Sequence, residues 1–148
     1  MSARILVVED EQIIATDLQE SLKALGYDVP ITVPSGEMAL ANLAQLQPDL
    51  VLMDIRLEGN IDGIEAAQKI QAEFKLPVIF LTASTDRATV ERVKTSQSFG
   101  YLLKPYSQTL LGTTIELVLH RHQAELETRQ ALQIAETERA ATELQSHH

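Results

Sequence analysis

The chain contains no cysteine. Disulfides, thiolate metal sites and thiol nucleophiles are excluded, and the composition suits a reducing compartment. No apolar run approaches the roughly 20 residues needed to cross a bilayer, so no membrane partner is expected. Met1-Ser2-Ala3-Arg4 leads straight into a strand-like run. No signal peptide is expected there, and a cytoplasmic location is expected. Basic charge is scarce: 12 Lys and Arg stand against 21 Asp and Glu, for a net charge of -9. Residues 1–106 hold 15 acids and 9 bases, and the remainder holds 6 and 3. Neither part offers the basic surface that nucleic acid requires, so direct binding to DNA or RNA is not expected.

What is present is an alternation of short apolar runs with amphipathic stretches. The 148 residues are 45% hydrophobic, enough for one globular domain with an ordinary core. A strand is expected over about Arg4–Val8. A helix follows, with Ile14, Leu18, Leu22 and Leu25 on one face and Gly26 at its end. A second strand near Tyr27–Val33 contains Pro30, which cannot donate to a ladder, so it belongs at a sheet edge. Ser35 caps a helix that Pro48 closes, and Leu50–Met53 is a third strand. Asp62, with Glu65 three residues on, resembles a capping box for a helix carrying Ile64, Ala67, Ile70 and Phe74. Pro77 opens a fourth strand, Val78–Leu81. A helix over about Asp86–Ser96 has only Val90 and Val93 as main anchors and is expected to be loosely held. Gly100 precedes a fifth strand, Tyr101–Leu103, and a last helix starts near Ser107. Strands alternating with helices imply a parallel sheet covered on both faces. A ligand site then lies outside the carboxyl ends of the strands.

Four strand ends carry chemistry. Ile5-Leu6-Val7-Val8 ends in Glu9-Asp10, Leu50-Val51-Leu52-Met53 in Asp54, Val78-Ile79-Phe80-Leu81 in Thr82, and Tyr101-Leu102-Leu103 in Lys104. Two like charges ~4 Å apart cost roughly 4 kcal/mol at an effective dielectric near 20. A divalent cation removes that cost, and carboxylates without Cys or His favour Mg²⁺. A carboxylate is also a competent nucleophile for phosphorus. Lys104 supplies a point charge and Thr82 a hydroxyl donor. Each residue alone has a plainer reading. Glu9-Asp10 could cap the following helix, Thr82 is a common strand residue, and Lys104 could be solvated. Four such strand ends in one order favour the functional reading.

These elements resemble the response-regulator receiver (CheY-like) domain of two-component signalling. The resemblance covers about residues 3–120 and rests on Ile5-Leu6-Val7-Val8-Glu9-Asp10-Glu11, the Asp54 strand, Asp62-Gly63, Thr82-Ala83 and Lys104-Pro105-Tyr106. It implies a flavodoxin-like, doubly wound five-stranded parallel sheet in the order 2-1-3-4-5. It implies that Glu9, Asp10 and Asp54, with the backbone carbonyl of Arg56, hold Mg²⁺. Asp54 is then the phosphoacceptor, Thr82 and Lys104 bind the phosphoryl group, and Tyr101 is the switch aromatic. Arg56 and Ser84 take the two variable positions thought to tune dephosphorylation. The implied partner is a sensor histidine kinase or phosphotransfer protein. The implied output is a change in the face made by the 86–96 helix, the fifth strand and the last helix. Such a domain is not an enzyme beyond catalysing its own phosphorylation and dephosphorylation. The chain departs from the family in one place. Many members carry a Met-Pro turn after the phosphoacceptor, whereas Arg56–Gly63 has no proline and is one residue longer.

Two rivals are weaker. An aspartyl phosphatase of the haloacid-dehalogenase type needs a second Asp two residues after the first, and Arg56 stands there. A phosphorylation-independent interaction or dimerisation module usually lacks the acid pair, the Asp or the lysine, and all are present. The receiver is expected over 3–122, with 123–148 as a helical extension. Residues 107–148 contain no proline and only one glycine, Gly112, and are rich in strong helix formers. A single helix over about 107–145 would be roughly 57 Å long. So long a helix is marginal alone, which favours homodimerisation through it, or passage to a further domain, over a solvated helix. The face of the last two helices is a second dimer candidate. His120 and His122 lie here and read more simply as solvated surface than as phosphotransfer groups.

Overall fold

Five short strands align in parallel. The computed structural model describes residues 2–57, 59–83, 88, 91–93 and 100–146, with side chains described as far as residue 139. Its elements are β1 (Ile5–Val8), α1 (Gln12–Ala24), β2 (Thr32–Val33), α2 (Gly36–Leu46), β3 (Leu50–Asp54), α3 (Gly63–Phe74), β4 (Val78–Thr82), β5 (Gly100–Leu103) and α4 (Gln108–Ser146). The sheet order is β2-β1-β3-β4-β5, and every neighbouring pair is parallel. This is the expected flavodoxin-like winding.

The central strands β1, β3 and β4 are covered on both faces, which is why they read as unbroken apolar runs. Successive residues feed opposite sides. Leu6, Val8, Val51, Met53, Val78 and Phe80 pack with Leu43 of α2 and with Ile64 and Ile70 of α3. Ile5, Val7, Leu50, Leu52, Ile79 and Leu81 pack with Leu18 and Leu22 of α1 and with Leu111, Ile115 and Val118 of α4. Edge strand β5 alternates instead: Leu102 is buried, while Tyr101 and Leu103 are exposed.

Local signals behave as read. Ser35 Oγ accepts from Met38 N–H at 3.2 Å, and Asp62 Oδ1 accepts from Glu65 N–H at 2.9 Å. Gly26, at φ +96°, ends α1 in the left-handed conformation, and Tyr27 N–H donates back to the Leu22 carbonyl at 3.0 Å. Ser107 Oγ caps α4 by accepting from Leu110 N–H at 3.0 Å.

Two expectations are adjusted. The second strand is shorter than Tyr27–Val33. It is confined to Thr32–Val33, with one isolated bridge between Arg4 and Asp28, and Pro30 interrupts what lies between. The helix expected over 86–96 falls mostly outside the described residues, as do Val90 and Ser84. Ala88 and Glu91, Arg92 and Val93 are helical, and Val93 is buried.

Helix α4 runs 39 residues. Leu111, Ile115 and Val118 are buried and Leu119 is partly so, but from Gln123 to Arg139 every residue except Leu126 is exposed. No helix among the described residues is long and apolar enough to cross a membrane.

Candidate functional site

Parallel winding delivers the strand ends to one edge. Asp54 is the last residue of β3, paired with Leu81, and Thr82 ends β4 beside Leu103. Glu9 and Asp10 follow β1, and Lys104 follows β5, where its N–H donates to the Thr82 carbonyl at 2.8 Å. The Lys104–Pro105 peptide is cis. All five sequence-predicted groups therefore lie at the carboxyl edge, and Thr82 is buried at 6% exposure.

Three carboxylates converge. Glu9, Asp10 and Asp54 each place an oxygen within 4.8 Å of the others. The Lys104 ammonium reaches into this group, with Nζ 3.1 Å from Asp54 Oδ2 and 3.6 Å from Glu9 Oε2. Glu9 is buried, and its Oε2 has no hydrogen-bond partner, while its Oε1 accepts from Glu11 N–H at 3.2 Å. Burial, reinforced by the neighbouring Asp54 carboxyl, raises the Glu9 pKa to about 8. Lys104 feels opposing forces. Its burial disfavours the charge, but the Asp54 and Glu9 carboxylates outweigh that and raise its pKa. Burial likewise raises the pKa of Tyr106, the residue after Pro105.

This arrangement fits a hard divalent cation. Three carboxylates, with no nitrogen or sulfur donor among the described residues, match Mg²⁺, and the Glu9 oxygen that lacks a hydrogen-bond partner could serve as a ligand. A capping role does not explain the acid pair. The N-cap of α1 is Glu11, and no side chain caps it.

The segment after Asp54 is folded tightly against it. Arg56 N–H donates to Asp54 Oδ1 at 3.0 Å, and the Arg56 side chain is exposed. Gly63 N–H donates to the Ile55 carbonyl at 2.9 Å. A Cβ on Gly63 would strike the Asp54 carbonyl oxygen and lie 2.9 Å from Ile55 Cα. The glycine is thus required by close backbone approach at the acidic site. Tyr101, on the outer face of β5, is 43% exposed and points away from the core. Ser84 lies outside the described residues.

Two contacts were not anticipated. Glu37 of α2 accepts from the Asn60 and Ile61 amides, and Arg92 pairs with the α3 cap Asp62 at 2.7 Å. Glu37 in a first helical turn reads from sequence as a complement to the helix dipole. An acid at that position signals nothing about a loop 23 residues away.

Comparisons with known proteins agree with the geometry. The family model for the response regulator receiver domain matches residues 5–116. The transcriptional regulatory protein PdtaR of Mycobacterium tuberculosis is 40% identical over 119 residues, covering 80% of this chain and 57% of that protein. The chain thus spans little more than half the length of this relative. The signal receiver domain of a modulated diguanylate cyclase from Desulfovibrio desulfuricans G20 superposes with a TM-score of 0.80 at 39% identity, over 84% of this chain and 99% of that one. The receiver domain of sensor histidine kinase PA1611 from Pseudomonas aeruginosa PAO1 has a magnesium ion coordinated in its active-site cleft. It superposes with a TM-score of 0.73 at 29% identity, over 81% of this chain and 99% of that one. A receiver domain is not a classical enzyme. By sheet order, acidic cluster and sequence match together, this chain belongs to the response regulator receiver domain family of two-component signalling.

Proposed function

We propose that Asp54 accepts a phosphoryl group from the phosphohistidine of a sensor histidine kinase or phosphotransfer protein. The observation that carries this is the Asp54 carboxylate itself. It sits among Glu9 and Asp10 within 4.8 Å and is held by Lys104 at 3.1 Å. An Asp54 oxygen attacks phosphorus, the P–N bond breaks, and its electron pair leaves with the imidazole. Glu9, Asp10 and Asp54, with the Arg56 carbonyl, hold Mg²⁺, which when bound neutralises charge on the phosphoryl oxygens. Lys104 and the Thr82 hydroxyl take the remaining oxygens.

Drawing Thr82 toward the phosphoryl group opens space beneath β5. Tyr101, now exposed, turns inward, and the face made by the helix through Arg92, β5 and α4 changes its partner preference. This is a population shift between two states. Residues 3–122 form this receiver unit in the cytoplasm. The extension over 123–148 pairs with its copy in a homodimer or carries the signal onward. A complete acid cluster and lysine support this reading over a phosphorylation-independent module.

Incubation with Mg²⁺ and a small phosphodonor should add the mass of one phosphoryl group to the intact protein, and Asp54→Asn should abolish the gain. No gain, or an undiminished gain in Asp54→Asn, refutes the reading.

A further inference from the structure

The loop after Asp54 is held from outside as well as from within. Its near end closes through the Arg56–Asp54 and Gly63–Ile55 hydrogen bonds. Its far end reaches α2, where Glu37 Oε1 accepts from Asn60 N–H at 2.8 Å and from Ile61 N–H at 3.1 Å. The surroundings are fitted to this contact. Gly59 has φ +102°, and a Cβ there would run into the Glu37 carboxyl. Gly36 lets the first turn of α2 come close, since a Cβ on it would lie 2.7 Å from Ala66 Cβ and 3.2 Å from Ile61 Cδ1. Ile61 itself packs on the core beneath α2 and α3.

The Glu37 carboxyl is held below its usual range by its own backbone N–H, and further by the Asn60 and Ile61 amides, so it is charged at neutral pH. A carboxylate accepting from two consecutive backbone N–H groups fixes the orientation of that stretch of backbone through charge-assisted bonds. Many receivers stiffen this turn with proline; here none lies between Asp54 and Gly63. A side chain from a neighbouring helix supplies the restraint instead.

We propose that Glu37 is a positioning residue for the Asp54 site. By fixing the 59–61 end of the loop, it restrains the segment that carries the Arg56 carbonyl, and so sets Mg²⁺ affinity and the lifetime of the phosphoryl group. The proposal rests on the phosphoacceptor reading above.

The test compares wild type, Glu37→Ala and Glu37→Gln, the last keeping one neutral acceptor. Amide hydrogen exchange on metal-free protein reports the clamp directly. Exchange at Asn60 and Ile61 should accelerate about tenfold in Glu37→Ala, with Glu37→Gln between. Mg²⁺ titration should show affinity weakened by about 3- to 10-fold in Glu37→Ala and partly rescued in Glu37→Gln. The phosphoryl half-life should change in the same rank order. Unchanged exchange refutes the clamp. Faster exchange with unaltered Mg²⁺ affinity and half-life makes Glu37 merely structural and overturns the proposal. A wild type that neither binds Mg²⁺ nor gains a phosphoryl group overturns the phosphoacceptor reading and the positioning role with it, whatever the exchange shows.

Discussion

Lys104 holds Asp54 from 50 residues away along the chain, its Nζ donating to Oδ2 at 3.1 Å. The pair brings a cation to a cluster that is proposed to admit a metal cation as well. The two roles oppose each other, and one substitution separates them. Lys104→Met removes a positive charge beside the three carboxylates, so Mg²⁺ should bind about threefold or more tightly. Phosphoryl uptake from a small donor should nevertheless slow by about tenfold or more, because the charge that met the phosphoryl oxygens is gone. Both are read on one preparation, by Mg²⁺ titration and by intact mass against time. Weaker Mg²⁺ binding, or unaltered uptake, contradicts the assigned geometry.

Glu9 should make Mg²⁺ binding depend on pH. Its pKa of about 8 means that buried Glu9 keeps a proton at pH 7 in the metal-free site. Mg²⁺ must displace that proton, so affinity should rise with pH and level off above about 8. Stability runs the other way. A carboxyl whose folded pKa is raised contributes fully below its ordinary value of 4.5, and the contribution is lost as pH rises through about 8. Metal-free protein should therefore lose thermal stability between about pH 5 and 8, and Glu9→Gln should flatten the slope. Calorimetry with and without Mg²⁺ checks both. A metal-free melting temperature that rises over that window is incompatible with a protonated Glu9.

Gly63 is tied to the site by a backbone hydrogen bond to Ile55 and by having no side chain. With a Cβ striking the Asp54 carbonyl, Gly63→Ala must push β3 and α3 apart. Overpacking of this kind costs about 1–3 kcal/mol, measurable by urea denaturation. The displaced Asp54 should also bind Mg²⁺ more weakly, while Gly112→Ala, which meets only Leu25 side-chain carbons at 3.3 Å or more, should leave Mg²⁺ binding intact.

Helix α4 outruns its support. Deleting 124–148 removes only exposed or peripheral side chains among those described, so the receiver fold should keep its melting temperature within a few degrees. Light scattering should give a dimer mass for the full chain and a monomer mass for the truncated one. A monomer in both cases refutes pairing through the extension.

The sheet was legible because its strands are buried on both faces: each apolar run could stop only where a polar group was wanted, and Glu9, Asp54, Thr82 and Lys104 marked those stops. Pro30 located the edge strand correctly. The same proline also made the strand shorter than its apolar residues suggested, because a missing donor breaks a ladder locally. Asp62 declared itself as a cap through Glu65, but its second partner, Arg92, lies 30 residues on and left no local trace. Glu37 was opaque for the same reason. Local chemistry writes itself into spacing, whereas a carboxylate spent on a distant loop looks like any other surface acid. Gly63 stood in view as half of Asp62-Gly63. Its necessity appears only once β3 and α3 are seen to touch.

The long last helix would turn a small movement at its base into a large displacement at its tip. Its grip on the sheet is confined to the first few turns, and the stretch from Gln123 to Ser146 extends roughly 36 Å beyond it. A tilt of about 10° at the anchored base would carry the far end through roughly 6 Å. A rotation about the axis would pass along the rod undiminished. If Tyr101 switches as proposed, the receiver would act as a lever with a short arm at β5 and a long one at the tip, a gear ratio written in residues rather than in bonds.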